Sequence, residues 1–232
     1  MTKNNFTFLI FILTLLSCGQ NRQQSPNNIS TQDSATSADF TQQEQKRLQR
    51  DSIEKAEQDK AIGDIGFYIS EKQFNKEKEA FIKKCKLPKY EFYKNATIID
   101  NKIGGYGFNS VDGWFYKDSL YSIELRGCLI DYDEYNIVMP DQYNALMELL
   151  KSKYGQPKTD NGFPSWTSIE KGYFRRCAAW EIGDKTIEAR ISCDGTQYTL
   201  NLAVFKPAIG DVVTKEADEK LKEETKKGSS VL

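Results

Sequence analysis

The chain has 232 residues, with 32 Lys and Arg against 33 Asp and Glu, for a formal net charge of −1. This near-neutrality excludes long-range electrostatic attraction to nucleic acid or anionic lipid as the organising feature. Histidine is absent, which excludes Ser-His-Asp and Cys-His catalysis, His-ligated zinc and a histidine pH switch.

Residues 1–5 carry one cation, Lys3, and no acid, and Phe6–Leu16 follows as a mostly apolar run. A membrane-spanning helix needs about 20 apolar residues, so this run is too short to span and has the form of a signal h-region. It stops at Leu15-Leu16-Ser17-Cys18. That ending resembles the lipobox of bacterial lipoprotein signal peptides. The resemblance implies cleavage before Cys18, a diacylglycerol thioether on its sulfur and an acylated amine. Residues 1–17 are then a signal peptide and Cys18 the lipid-bearing first residue of the mature chain. Two or three acyl chains hold stably where one holds only marginally. Gly19 is not the Asp that, in such lipoproteins, signals retention at the inner membrane, and no acid occurs from Gly19 to Gln32. The resemblance therefore implies an outer-membrane lipid anchor with the protein facing the periplasm.

Residues 18–61 read as a polar tether. The first part is rich in Asn, Gln, Ser and Thr and too poor in apolar side chains to offset ordering entropy. Thr41-Gln42-Gln43-Glu44 has capping-box spacing, and the charged stretch after it, with Leu48, Ile53 and Ala56, suits a solvated helix.

Residues 62–207 form the expected globular domain. Ser70-Glu71-Lys72-Gln73 is a capping-box pattern flanked by Ile69 and Phe74 as a hydrophobic staple. Phe74, Phe81, Ile82 and Cys85 share one helical face, and Pro88 closes that helix. Residues 96–130 are aromatic and β-branched, with turn signals at Asp112-Gly113 and Lys117-Asp118-Ser119, so they read as a meander. Gly104-Gly105 reads as a bend within a strand. A second helix is expected to open at Pro140-Asp141, with Tyr143, Leu146, Met147, Leu150 and Tyr154 as its buried stripe and Gly155 and Pro157 as its stop. Gly183-Asp184 suits a two-residue hairpin whose register sets Trp180 opposite Ile187 and Ala178 opposite Ala189. Tyr198–Phe205 alternates apolar and polar residues and closes the sheet. The fold class is α+β: an antiparallel sheet meander with two helices packed on one face. This element order is similar to that of small periplasmic modules of outer-membrane assembly lipoproteins and β-lactamase-inhibitor proteins. Residues 208–232 read as a charged tail with a frayed, exposed helix.

Few motifs carry chemistry. Cys85, Cys128, Cys177 and Cys193 are candidates for two disulfides in an oxidising envelope, or for buried thiols. The hairpin register pairs Cys177 with Arg190 and turns it away from Cys193. Their spacing offers no close Cys pairs for zinc. Ser52-Ile53-Glu54-Lys55 and Ser168-Ile169-Glu170-Lys171 lack the partner motifs of penicillin-binding enzymes. Asp131-Tyr132-Asp133-Glu134 lacks the glycine and distal Glu of a calcium loop. No metal site, cofactor or catalytic residue is therefore expected. Gln156–Gly172 is long for a helix-to-strand connection and holds Phe163 and Trp166, which makes these two aromatics the candidate binding residues. The functional expectation is a non-enzymatic lipid-anchored envelope protein that binds another protein or envelope component. The alternative is a small-molecule or glycan-binding lipoprotein, and after it an envelope hydrolase that works without His.

Overall fold

The computed structural model describes residues 57–93 and 97–229, together with positions 44, 45, 47, 48, 51 and 52. The lipobox, Cys18 and most of the tether lie outside the described residues. The chain divides into two units, Met1–Gln45 and Lys46–Leu232. Of the first, only Glu44 and Gln45 are described, and both are helical.

The second unit is an α+β domain. Two short strands, β1 (Lys60–Ile62) and β2 (Ile65–Gly66), lead into helix α1 (Glu71–Cys85). Ser70 caps α1 by accepting from the Gln73 N–H, satisfying a donor that has no partner inside the helix. The chain then runs through β3 (Lys86–Tyr93), β4 (Thr97–Ile103), β5 (Tyr106–Tyr116), β6 (Ser119–Gly127) and the short β7 (Ile130–Asp131). Helix α2 (Tyr135–Tyr154) follows, then β8 (Thr159–Asp160), β9 (Phe174–Ile182), β10 (Lys185–Cys193), β11 (Gln197–Phe205) and helix α3 (Pro207–Ser229).

One sheet orders these strands β3-β4-β5-β6-β11-β10-β9-β8, with β7 also on β11. Each half is a helix followed by a meander, and the last strands of the two halves, β6 and β11, pair antiparallel at the centre. That order relates the halves by an approximate two-fold axis normal to the sheet, which leaves α1 and α2 on the same face. Cross-strand rows define this face. Val111, Leu125, Leu202, Ala189 and Ala178 are successive partners, as are Gly113, Ile123, Val204, Ile187 and Trp180. Phe74 of α1 meets Phe115 edge-on, Phe81 lies against Phe108, and Tyr135 of α2 packs on Tyr198. The hairpin register at Gly183-Asp184 is the one expected as far as the Ala189–Ala178 pair.

Several local expectations are corrected. Asp112-Gly113 lies inside β5, not at a turn. Gly113 sits under α1, where a Cβ would come within 2.8 Å of the Phe74 ring. The turns are Gly104-Gly105 and Lys117-Asp118, the latter with both residues at positive φ, as a tight hairpin requires. The Asp118 carboxylate also accepts from the Glu71 N–H at the α1 N-terminus. Pro88 falls in the edge strand β3, where a missing donor is tolerated. Helix α2 opens five residues before Pro140, after a 3-10 turn over Tyr132–Glu134. Pro140 forfeits one intrahelical hydrogen bond, and burial of Tyr135, Val138 and Met139 offsets that loss.

The entry of the chain into the domain is clamped. Lys185, 1% exposed, donates to the carbonyls of Glu57 (2.5 Å) and Lys60 (2.8 Å). Lys206, also buried, donates to the Gln58 carbonyl (3.0 Å) and the Asp184 carboxylate (2.5 Å). Lys153 pairs with the Glu57 carboxylate at 3.0 Å. Residues 57–60 are thereby held at the Gly183-Asp184 end of the sheet. Helix α3 is exposed along most of its length, with Tyr116 donating to Glu216 at 2.7 Å.

Candidate functional site

The sheet face opposite α1 and α2 is polar by register. One row across it is Ser110, Arg126, Asn201, Arg190 and Arg176; the next is Asp112, Glu124, Ala203, Glu188 and Ala179. Arginines and acids of adjacent rows join in a ladder of ion pairs: Arg126–Asp112 at 3.5 Å, Arg190–Glu124, and Arg176–Glu188 at 2.7 Å. Glu124 and Glu188 are buried, each against its arginine partner. A buried carboxylate is tolerable only when paired in this way.

Beyond the ladder, toward the start of β9, the face sinks into a cleft of about 320 Å³. Its floor is a mutually bonded set. The Ser192 and Thr199 hydroxyls are 2.7 Å apart, and the Asn201 amide donates to Ser192 Oγ at 3.1 Å and accepts from the Gly127 N–H at 3.3 Å. Its wall is aromatic. Phe174 lies 4.6 Å under the Arg190 guanidinium and is 49% exposed, and Tyr173 is 67% exposed. Leu129 is a further exposed apolar side chain in the lining. A second hollow of about 520 Å³ adjoins Phe174, lined by Arg175, Arg176 and residues of the 161–168 segment. There Arg175 Nε donates to the Ser168 carbonyl at 2.7 Å.

The residues singled out from sequence lie elsewhere. The Phe163 ring stacks on Tyr135 with centroids 5.4 Å apart, and Trp166 meets Tyr132 edge-on at 4.6 Å. Both are half-buried against the core, and Tyr135 Oη donates to the Pro164 carbonyl at 2.8 Å. The Gln156–Gly172 segment is thus pinned down and contains β8 and a 3-10 turn over Trp166–Ser168. Cys85, Cys128, Cys177 and Cys193 are free thiols. The expected pairing of Cys177 with Arg190 is corrected by a bulge between Ala189 and Arg190. Arg176 becomes the partner of Arg190, and Cys177 is fully buried in the core. Cys193 bonds instead to Tyr173, four residues from Cys177 along β9. Counted along the strand past the bulge, Cys177 and Cys193 lie about 10 Å apart in backbone position, beyond disulfide reach. Burial pushes the thiols of Cys128 and Cys177 up to about 12 and suppresses the reactive thiolate. Asp131 is engaged by the Gln197 amide at 2.8 Å, and among the described residues no group of three or more His, Cys, Asp or Glu side chains is arranged to hold a metal ion.

The sequence reading missed the arginine ladder and the Tyr173-Phe174 wall. The available signal was a strand pair, β9 and β10, whose alternate positions carry Arg176, Glu188 and Arg190 where a purely solvated face needs no matched charges. No protein-family model, curated protein or solved structure matches the chain.

Proposed function

We propose that this chain is a lipid-anchored protein of the cell envelope, held in the outer membrane by acyl chains on Cys18, facing the periplasm. It binds another protein or envelope component through the open face of its sheet and carries out no catalysis of its own. One observation supports the binding surface above all: exposed aromatic side chains border a polar floor that is already hydrogen-bonded. Tyr, Phe and Arg are the residue types that anchor interfaces, and a pre-ordered floor costs little entropy when a partner arrives. The position of the cleft agrees with this role. Residues 57–60 enter at the Lys185 end of β10 and the cleft opens toward the other, its β10 lining from Arg190 to Cys193 lying about 17–27 Å along the strand. A partner reaches the cleft without meeting the point where the tether joins the domain.

Two measurements test the reading. Palmitate labelling and membrane fractionation of wild type and Cys18→Ser test the anchor; unchanged labelling and membrane association in the variant refute it. Cross-linking and pull-down from solubilised envelope, with wild type beside Tyr173→Ala/Phe174→Ala, test the surface. The expected result is a captured component that the double variant loses while its melting temperature holds. Identical capture by both proteins removes the open face as the site.

A further inference from the structure

Resting on that reading, we propose that the cleft between Tyr173, Phe174 and the Ser192–Thr199–Asn201 floor is a saccharide site, taking a neutral pyranose unit of an envelope glycan. The argument begins with charge. The charged side chains of the lining are Arg126 and Arg190 against Glu124 and Asp194, which cancel. Both arginines already face a carboxylate, Arg190 that of Glu124 and Arg126 that of Asp112. A net anion entering here meets no uncompensated cation to offset its desolvation, whereas an uncharged polyol loses little by leaving water for groups that bond as water does.

Hydrogen-bond capacity points the same way. A guanidinium has five N–H donors and a carboxylate about four lone-pair sites, so the Arg190–Glu124 pair leaves donors and acceptors side by side at the cleft. Vicinal hydroxyls, each both donor and acceptor, match such a pair. The Ser192 and Thr199 hydroxyls extend the same two-sided capacity along the floor.

Shape completes the match. A pyranose is two-sided, with a C–H face that stacks on an aromatic ring and a hydroxyl edge. The cleft is two-sided as well, with Tyr173 and Phe174 as wall and the polar set as floor. Phe174 is held against Arg190, so its ring is in place before a ligand arrives. The volume of about 320 Å³ is at the small end of ligand pockets, sized for a ring rather than a folded partner. A protein partner, by contrast, finds complementarity over a broad surface and draws on more than this cleft.

The test uses full-length protein in detergent, labelled and applied to an array of neutral and acidic glycans, followed by calorimetric titration with the strongest neutral oligosaccharide. The expected result is saturable binding of a neutral glycan that changes little with added salt. Tyr173→Ala, a change at an exposed ring, raises Kd by about tenfold or more without moving the melting temperature. Phe174→Ala gives the same loss from the other ring. Binding confined to acidic glycans and abolished by salt overturns the proposal, as does the absence of any bound glycan or indifference to both substitutions. If the array is blank while the envelope pull-down still depends on Tyr173 and Phe174, the partner is a protein. The saccharide assignment then falls and the binding reading stands.

Discussion

Replacing Trp180 with Ala is the sharpest test of the architecture. Trp180 is 1% exposed, faces Ile187 across the β9–β10 hairpin, and donates its indole N–H to the Gly155 carbonyl at 2.9 Å. It therefore packs the sheet and also ties down the C-terminus of α2. Truncation of a buried Trp costs about 3–5 kcal/mol through lost transfer energy and the cavity left behind. Loss of the Gly155 hydrogen bond adds about 1 kcal/mol. Trp114 carries the same side chain, but it pairs with Ser122 on the polar face and is 39% exposed, so Trp114→Ala should cost about 1–2 kcal/mol. Urea unfolding followed by far-ultraviolet circular dichroism compares the two, since fluorescence changes with the substitution itself. At about 4 kcal/mol the midpoint temperature of a domain this size falls by roughly 10 °C. A Trp114→Ala loss equal to or larger than that of Trp180→Ala refutes the assignment of faces.

Further outcomes follow from the ladder, the glycines, the thiols and the clamp. Arg190→Ala strands the buried Glu124 carboxylate and should cost about 3 kcal/mol, part of it regained in Glu124→Ala/Arg190→Ala; denaturant melts of both check this, and full additivity of the single losses refutes the coupling. Gly127→Ala places a Cβ 2.2 Å from the Leu200 carbonyl oxygen of β11 and should lower stability by about 1–3 kcal/mol, read by the same melts. Cys128 and Cys177 are raised from an ordinary 9.0 to about 12, so between those values the folded chain holds protons that the unfolded chain has released. Their stabilisation is complete below pH 9.0 and is lost as pH climbs toward 12. Lys185 runs in the opposite sense: burial lowers it from 10.5 to about 8, so stability is gained as pH rises between these values. Lys185→Met should accordingly fall off more steeply with alkali than wild type in pH-dependent melts. It should also expose residues 57–60 to protease, because two carbonyls lose their donor.

The elements most legible in the sequence were those signalled by a few adjacent residues. The Ser70 cap with its Phe74 stripe, the Gly155 stop and the Gly183-Asp184 hairpin are local, because a cap, a left-handed residue or a two-residue turn needs only its neighbours. From the hairpin, the period of two carried the register through β9 and β10 as far as Ala189. There a bulge, which leaves no mark in the pattern, shifted Arg176 onto Arg190 and turned Cys177 into the core. Asp112-Gly113 has the composition of a turn, yet Gly113 exists for the Phe74 ring of a helix some 39 positions earlier. The site was illegible for the same reason on a larger scale. Arg126, Asn201 and Arg190 come from three strands, and only the central pairing of β6 with β11 brings them into one row. Read singly, each is an ordinary polar residue on the solvent side of a strand. Phe163 and Trp166 were conspicuous as aromatics in a long loop, but a loop's sequence does not say whether its rings point outward or lie back on Tyr135 and Tyr132. Local chemistry thus determined the elements and their ends. Contacts between residues far apart in the chain decided which face is core, which face is open and which arginines meet.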